Sequence, residues 1–136
     1  MSDLKDYIQL YHDVMTKETC DHFISLYNQS EAEHMKSPIY DFSEINMFES
    51  KSFKPYEQQI SQLMGGIYQM YSSQFKHFPK TNAFEQPRIK RYEPNEGVFD
   101  WHCDAVTKES SKRILVMFFY LNDVQEGGET LFKFEP

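Results

Sequence analysis

The sequence has 136 residues and a formal net charge of -7, and 40% of its residues are hydrophobic and 16% aromatic. That length suits one domain with a modest core, and the apolar content is too high for an intrinsically disordered chain. The negative charge argues against nucleic acid as a partner, because phosphate binding needs clustered lysine and arginine.

The cysteine content and the first residues of the sequence favour a location inside the cell. The two cysteines, Cys20 and Cys103, are far apart and lack metal-ligand spacing, which suits a reducing compartment. The first residues lack the pattern of a signal peptide, and no apolar run approaches the ~20 residues needed to span a bilayer. We therefore expect a cytoplasmic protein without a membrane partner.

A first helix is predicted over residues 16–30. Thr16 is a suitable N-cap because its side-chain oxygen can accept a hydrogen bond from a free backbone N–H of the first turn. The apolar residues that recur at helical spacing are Cys20, Phe23, Ile24 and Tyr27. After this helix, residues 31–53 have an irregular pattern, which predicts a loop with short strands.

A second helix is predicted to begin near Pro55, since proline is favoured in the first turn of a helix. Its apolar stripe consists of Tyr56, Ile60, Leu63, Ile67, Met70 and Tyr71. Gly65 and Gly66 lie within it, and each glycine weakens a helix by about 1 kcal/mol relative to alanine. This helix must therefore be held by packing against the rest of the domain.

From Phe84 onward the pattern changes to short β-type runs separated by turn residues. These runs are PRIKRYEP, GVFDWHCD, KRILVMFFYLND and ETLFKFEP. Residues 114–121 are apolar at both alternating sets of positions, which predicts a strand covered on both faces. The basic run at 88–91 is interpreted as a solvated strand face, with contact to an anion as the alternative.

His102 and Asp104 are the strongest candidates for chemistry. On an extended strand, residues i and i+2 project from the same face, so this pair can chelate one ion while Cys103 points away. One imidazole and one carboxylate suit a divalent first-row metal, and two histidines with one carboxylate suit Fe(II). An H-x-D triplet alone is a weak signal, because such triplets also occur by chance at hydrogen-bonded surfaces.

Three ordered segments strengthen this interpretation: RYEPNEGVFDWHCD, SSKRILVMFFYLND and GGETLF. In order and spacing they resemble the core of Fe(II)- and 2-oxoglutarate-dependent dioxygenases of the prolyl 4-hydroxylase type. The N-terminal DVMTKETCDHFISLY is also similar to that family's first strand and helix. The resemblance covers nearly the whole chain and is most specific from Arg91 to Phe132.

The resemblance implies an α+β fold: a double-stranded β-helix, or cupin-like jelly roll, with N-terminal buttressing helices. It divides the single domain of residues 1–136 into a helical part at about 1–80 and a β-core at about 84–136. It also implies hydroxylation of a peptide or protein residue, most typically proline, with decarboxylation of 2-oxoglutarate to succinate. The implied cofactors are Fe(II) and 2-oxoglutarate, with ascorbate as a further candidate.

The resemblance also assigns roles to individual residues. His102 and Asp104 match the first two iron ligands, and no catalytic residue beyond the ligands is implied. Tyr92 matches a tyrosine that contacts 2-oxoglutarate, although a strand aromatic packing against a helix is its plainer interpretation. Thr130 is assigned to the cosubstrate pocket. Arg113 is interpreted as structural.

The family's second ligating histidine, and the lysine or arginine that pairs with 2-oxoglutarate, have no counterpart here. No histidine follows His102, and Lys133 is a weak substitute for the cation because it is close to the preceding turn. Three explanations are open: a truncated dioxygenase, a domain completed by a homo-oligomer or another chain, and a degenerate half-barrel that acts as a binding module. In each case the sheet is truncated at the C-terminus, and a jelly roll cut after LFKFEP would leave an apolar sheet face and open strand edges, which promote pairing or aggregation.

Overall fold

We describe a computed structural model of the chain, which covers residues 3–81 and 83–134. Its two helices are α1, Lys17–Gln29, and α2, Glu57–Gln74. Its three strands are β1, Met35–Lys36, β2, Ser43–Asn46, and β3, Arg88–Arg91. No helix within these residues is long and apolar enough to cross a membrane.

Both predicted helices are confirmed, and local chemistry explains where they begin. Thr16 caps α1, because its side-chain oxygen accepts a hydrogen bond from the Thr19 N–H at 3.1 Å. Pro55 lies in a 3₁₀ turn, Lys54–Tyr56, that leads directly into α2. The stripe of α2 is confirmed at Ile60, Ile67 and Tyr71, but it also contains Met64, while Met70 is 48% exposed.

The strands form one small antiparallel sheet in the order β1-β2-β3. In its register Ile45 lies opposite Ile89, and Glu44 lies opposite Lys90. Since neighbouring residues of a strand point to opposite faces, one face of this sheet is apolar and the other carries charge. The apolar face packs on the helices, and the charged face is turned toward the candidate site.

A single hydrophobic core joins α1, α2 and the apolar sheet face. Its buried members are Phe23, Tyr27, Ile45, Met47, Phe53, Ile60, Met64 and Ile89. Phe53 is fully buried at its centre. Met117, Phe119 and Leu121 pack against this core from the C-terminal part of the chain. The helices and the strands are thus held together mainly by burial of apolar side chains.

The predicted strands after β3 do not form within the described residues. No strand is present between residues 92 and 134, and no backbone hydrogen bond joins residues 114–134 to another described segment. The antiparallel sheet and the mixture of helix and strand are confirmed, whereas the jelly roll remains a prediction. The last predicted run, ETLFKFEP, ends in residues 135–136, which lie outside the described residues.

The expectation that residues 114–121 form a strand covered on both faces is wrong. Burial alternates along this segment: Leu115, Met117, Phe119 and Leu121 are half-buried, whereas the even-numbered residues Ile114, Val116, Phe118 and Tyr120 are 43–59% exposed. Met117, Phe119 and Leu121 on the odd-numbered side pack against the core, whereas the even-numbered side is exposed. We call Ile114, Val116, Phe118 and Tyr120 the open face.

Candidate functional site

His102 and Asp104 are brought together, although no strand forms between them. Nε2 of His102 lies 3.5 Å from Oδ1 of Asp104. Two donor atoms that each lie roughly 2.1 Å from one ion are about 3 Å apart when they bind at right angles, and further apart at wider angles. The observed separation therefore fits two ligands of one metal ion, and Cys103 between them is exposed.

The imidazole of His102 uses Nδ1 for a hydrogen bond, which leaves Nε2 available as a metal ligand. Nδ1 lies 2.7 Å from the backbone carbonyl oxygen of Asp100. A carbonyl can only accept, so Nδ1 carries the proton, and in the neutral ring Nε2 presents its lone pair toward Asp104. Ligating histidines commonly donate their second N–H in this way, which fixes the ring orientation.

A third ligand is not found with this pair. Across residues 3–81 and 83–134, no group of three histidine, cysteine or acidic side chains is arranged to hold a metal ion. The described residues therefore fit two of the coordination positions that an Fe(II) ion would need. The remaining positions would have to be filled by water, by a cosubstrate or by a donor outside this set.

Arg113 holds the backbone next to Asp104 in place. Its Nη1 donates to the Asp104 carbonyl oxygen at 2.8 Å, and its Nη2 donates to Oε2 of Glu85 at 2.9 Å. The same ion pair lowers the pKa of Glu85, because the guanidinium stabilises the carboxylate. Arg113 thus has the structural role predicted from the sequence, and it acts on one of the two candidate ligands.

Tyr92 packs in the same region but does not contact the His102–Asp104 pair. Its ring lies 5.2 Å from that of Phe42, and burial raises the pKa of its hydroxyl. Gly97 lets the following loop approach closely, since a Cβ there would lie 2.8 Å from Cδ1 of Tyr92. Tyr92 therefore packs against an aromatic neighbour, and its assignment to 2-oxoglutarate remains a prediction.

Aromatic rings connect Tyr92 with His102. Phe42 lies 5.5 Å from Phe99, and Phe99 lies 4.0 Å from the His102 ring, all as centroid distances. Tyr40 also packs edge-to-face on Phe99, at 4.4 Å. This aromatic wall, which consists of Tyr40, Phe42, Tyr92 and Phe99, gives the candidate metal pair an apolar side.

Thr130 is not brought to this site. Its hydroxyl is hydrogen-bonded to the hydroxyl of Tyr120 at 2.6 Å, next to the open face. Within the described residues, no side-chain hydrogen bond joins Thr130 to His102, Asp104 or Tyr92. Trp101, by contrast, is close to the pair in sequence, but it is 62% exposed.

The site also includes a cleft that the sequence interpretation missed. It has a volume of about 370 Å³, and its lining includes four charged residues of the sheet and three rings of the aromatic wall, Tyr40, Phe42 and Phe99. Lys90 lies in it with its Nζ 4.5 Å and 4.8 Å from the ring centroids of Phe42 and Phe99. The alternation Arg88, Lys90, Tyr92 was the available signal, because residues two apart share a strand face.

Comparison with known proteins bears out the resemblance to prolyl 4-hydroxylases. "Probable prolyl 4-hydroxylase 8" of Arabidopsis thaliana is 28% identical over 136 aligned positions. "Prolyl 4-hydroxylase 5" of the same organism is 28% identical over 132 positions. Each alignment covers 90% of this chain and 43% of the relative.

No family model matches the chain, and no solved structure matches it. The comparison therefore depends on the two curated relatives, and this chain spans less than half of their length. The chain resembles prolyl 4-hydroxylases over most of its own length.

Proposed function

We propose that this chain contributes the first two iron ligands of a 2-oxoglutarate-dependent dioxygenase that hydroxylates a peptide or protein, with proline as the residue modified. The observation that carries the proposal is the geometry of His102 and Asp104. Nδ1 of the histidine is engaged with the Asp100 carbonyl oxygen, so Nε2 is the nitrogen that is available to a metal ion, and it lies 3.5 Å from the carboxylate. The resemblance to two named prolyl 4-hydroxylases supports the same function.

The proposed reaction consumes dioxygen, 2-oxoglutarate and a C–H bond of the substrate, and it yields succinate, carbon dioxide and a hydroxylated product. Bound Fe(II) would supply the activation of dioxygen, which side chains alone cannot perform. His102 and Asp104 would hold the ion, and Arg113 would keep Asp104 in position through its backbone carbonyl. The aromatic wall would exclude water from one side of the site.

The direct test combines the full chain with Fe(II), 2-oxoglutarate, ascorbate, dioxygen and a proline-containing peptide, and it measures succinate and the mass of the peptide. We expect succinate and a mass increase of one oxygen atom, both dependent on dioxygen. His102→Ala and Asp104→Ala should each abolish both products. Cys103→Ala is the matched control, because Cys103 lies between the ligands and is exposed, and it should retain activity.

A binding readout tests the site independently of turnover. Titration with Fe(II) without oxygen, followed by calorimetry, should give one binding event that either ligand substitution removes and Cys103→Ala leaves unchanged. Equal metal affinity in all four proteins would refute the assignment of His102 and Asp104. Succinate formation that survives in both ligand variants would refute it as well.

A non-catalytic binding module is the second candidate function. The observation that favours it is the absence of a third protein ligand among residues 3–81 and 83–134. Such a module would bind a peptide, and bind metal weakly through two ligands, without forming succinate. The same two experiments separate the candidates, because only the dioxygenase couples metal binding to the consumption of 2-oxoglutarate.

A further inference from the structure

The cleft beside the aromatic wall is positively charged on an acidic protein. Its apolar and aromatic lining includes Met35, Ile39, Tyr40, Phe42 and Phe99, and its charged residues are Lys36, Glu44, Arg88 and Lys90. Three cations and one carboxylate thus line it, while the whole chain has a net charge of -7. A concave surface with charge opposite to that of its surroundings attracts ligands of the complementary charge.

Within the cleft, the Glu44 carboxylate neutralises only part of this charge. Its Oε1 accepts a hydrogen bond from Arg88 at 3.0 Å, whereas its Oε2 lies 4.0 Å from Nζ of Lys90, at the outer limit of an ion pair. The Lys90 ammonium is instead placed over the rings of Phe42 and Phe99. It can therefore accept a further anionic partner.

The environment of Lys90 favours such a partner. Removal from water lowers the pKa of Lys90, and the nearby carboxylates of Glu44 and Asp104 offset this only in part. A carboxylate bound next to the ammonium would compensate for the lost water. The same Phe99 ring that flanks Lys90 also packs on His102, so a ligand in the cleft would be next to the candidate metal pair.

The shape of the cleft fits an extended peptide better than a small acid. Its three cations come from two strands, β1 and β3, and Arg88 is already engaged by Glu44. Met35 and Lys36 belong to β1, an edge strand, whose free edge has no strand partner within the described residues. Extended peptides commonly bind along such edges, with their side chains in adjoining apolar pockets.

We propose that this cleft binds an extended peptide segment carrying acidic side chains, with Lys90 as the cation that selects it. This inference deepens the proposed function and rests on it, since the peptide would be the substrate presented to the site at His102 and Asp104. In this proposal, the aromatic residues Tyr40, Phe42 and Phe99 contact the apolar side chains of that segment. It also agrees with the alternative interpretation of the basic run at 88–91, in which this run contacts an anion.

The test measures binding of two fluorescent eight-residue peptides to the full chain by anisotropy. One alternates glutamate and proline, and the other alternates glutamine and proline. We expect the glutamate peptide to bind at least about tenfold more tightly, and its affinity to fall as salt is raised, because exposed charges are screened. Equal affinity for the two peptides would overturn the proposal.

Matched variants then assign the selectivity to Lys90. Lys90→Gln should weaken binding of the glutamate peptide about tenfold, and Lys90→Arg should largely restore it. Lys76→Gln removes the same charge outside the cleft, at an exposed position, and should change affinity less than about twofold. Circular dichroism checks that each variant is folded. If Lys90→Gln and Lys76→Gln have the same effect, the charge effect is general and the proposal fails.

Two further measurements separate this inference from the proposed reaction. His102→Ala should retain binding of the glutamate peptide, because the cleft does not need the metal. In the unsubstituted chain, binding of the glutamate peptide together with no succinate formation would support the cleft and refute the dioxygenase. Conversely, succinate formation on a proline peptide with no preference for glutamate would refute the cleft alone. If succinate displaces the peptide fully at equal concentration, the site takes a small dicarboxylate and the peptide proposal is wrong.

Discussion

Glu33 joins two segments of the chain through a single carboxylate. Its Oε2 accepts a hydrogen bond from Oγ of Ser50 at 2.8 Å, and its Oε1 accepts one from the Lys51 N–H at 2.7 Å. Burial alone would raise the pKa of Glu33, but the hydrogen bonds outweigh it, and the pKa lies below its usual value of 4.5. The ionised form of Glu33 therefore stabilises the folded chain.

We predict that Glu33→Gln lowers the free energy of unfolding by about 1–2 kcal/mol near neutral pH, as expected for hydrogen bonds to a charged group. Because the folded pKa is lower than the unfolded one, this contribution is complete above the unfolded pKa and is lost as pH falls through the folded pKa. Urea unfolding at neutral and at acidic pH measures both effects.

Glu31→Gln is the control for this prediction, since Glu31 lies in the same short 3₁₀ turn and its side chain is exposed. It should change the free energy of unfolding by less than about 0.5 kcal/mol at either pH. If the two substitutions are equally destabilising, or if the effect of Glu33→Gln grows on acidification, the role of the Glu33 carboxylate is contradicted.

Gly97 is a second residue whose substitution should change stability, because there is no room for a Cβ atom at this position. A Cβ there would lie 2.8 Å from Cδ1 of Tyr92 and 2.9 Å from the Asp41 carbonyl oxygen, closer than real contacts allow. We predict that Gly97→Ala lowers the melting temperature, at a cost of about 1–3 kcal/mol, because Tyr92 and the loop must move apart. Thermal unfolding measures the change, and unaltered stability would show that the loop moves freely.

At the scale of elements, α2 offers the opposite result for the same substitution. A Cβ on Gly66 would meet nothing within 4 Å, and this residue is exposed in the middle of the helix. We predict that Gly66→Ala raises the free energy of unfolding by about 0.5–1 kcal/mol, since alanine loses less conformational freedom in a helix. A destabilising effect in the same thermal assay would mean that this helix face is covered by a partner in solution.

The segment 114–121 provides a matched pair of neighbouring phenylalanines. Phe119 packs against the hydrophobic core, whereas Phe118 is 53% exposed and its ring contacts that of Tyr120 at 5.6 Å. We predict that Phe119→Ala costs about 2–4 kcal/mol and Phe118→Ala less than about 1 kcal/mol, because only the first removes packed core atoms. Urea unfolding of the two variants tests this, and equal losses would mean that both faces are covered.

The helices were predictable from the sequence because their signals are local. The cap at Thr16, the proline at 55 and the three-to-four spacing of apolar residues act within one or two turns. The one-sided burial of residues 114–121 was not predictable, because that run is apolar at every position and its pattern does not say which side meets the core. Only the packing of Met117 and Phe119 against the hydrophobic core settles this.

The same contrast applies to the candidate site. Spacing alone predicted that His102 and Asp104 are neighbours, and the structure brings them together. The cleft was missed because Lys90 meets Phe42 and Phe99 only through the register of β2 with β3 and the return of the loop after β3. Such contacts depend on residues far apart in the chain, so no local pattern contains them.

At the scale of the whole molecule, apolar exposure is concentrated in the C-terminal part of the chain. Besides the open face, Val98, Trp101 and Val106 are 62–72% exposed. Large contiguous apolar surfaces are uncommon on isolated soluble domains and promote association. The chain as described therefore combines a well-packed helical side with a side on which apolar side chains meet solvent.

We predict that this surface drives concentration-dependent self-association and binds an environment-sensitive apolar dye in the native state. The double variant Val116→Lys, Phe118→Lys should reduce both, because it places charges on the open face, while leaving the free energy of unfolding within about 1 kcal/mol of the original. Sedimentation velocity over a dilution series and dye fluorescence measure the two effects. Gln58→Lys, Gln69→Lys is the control, since it adds the same charge at exposed positions of α2 and should leave association unchanged. If both double variants reduce association equally, the change in net charge explains the effect and the open face does not.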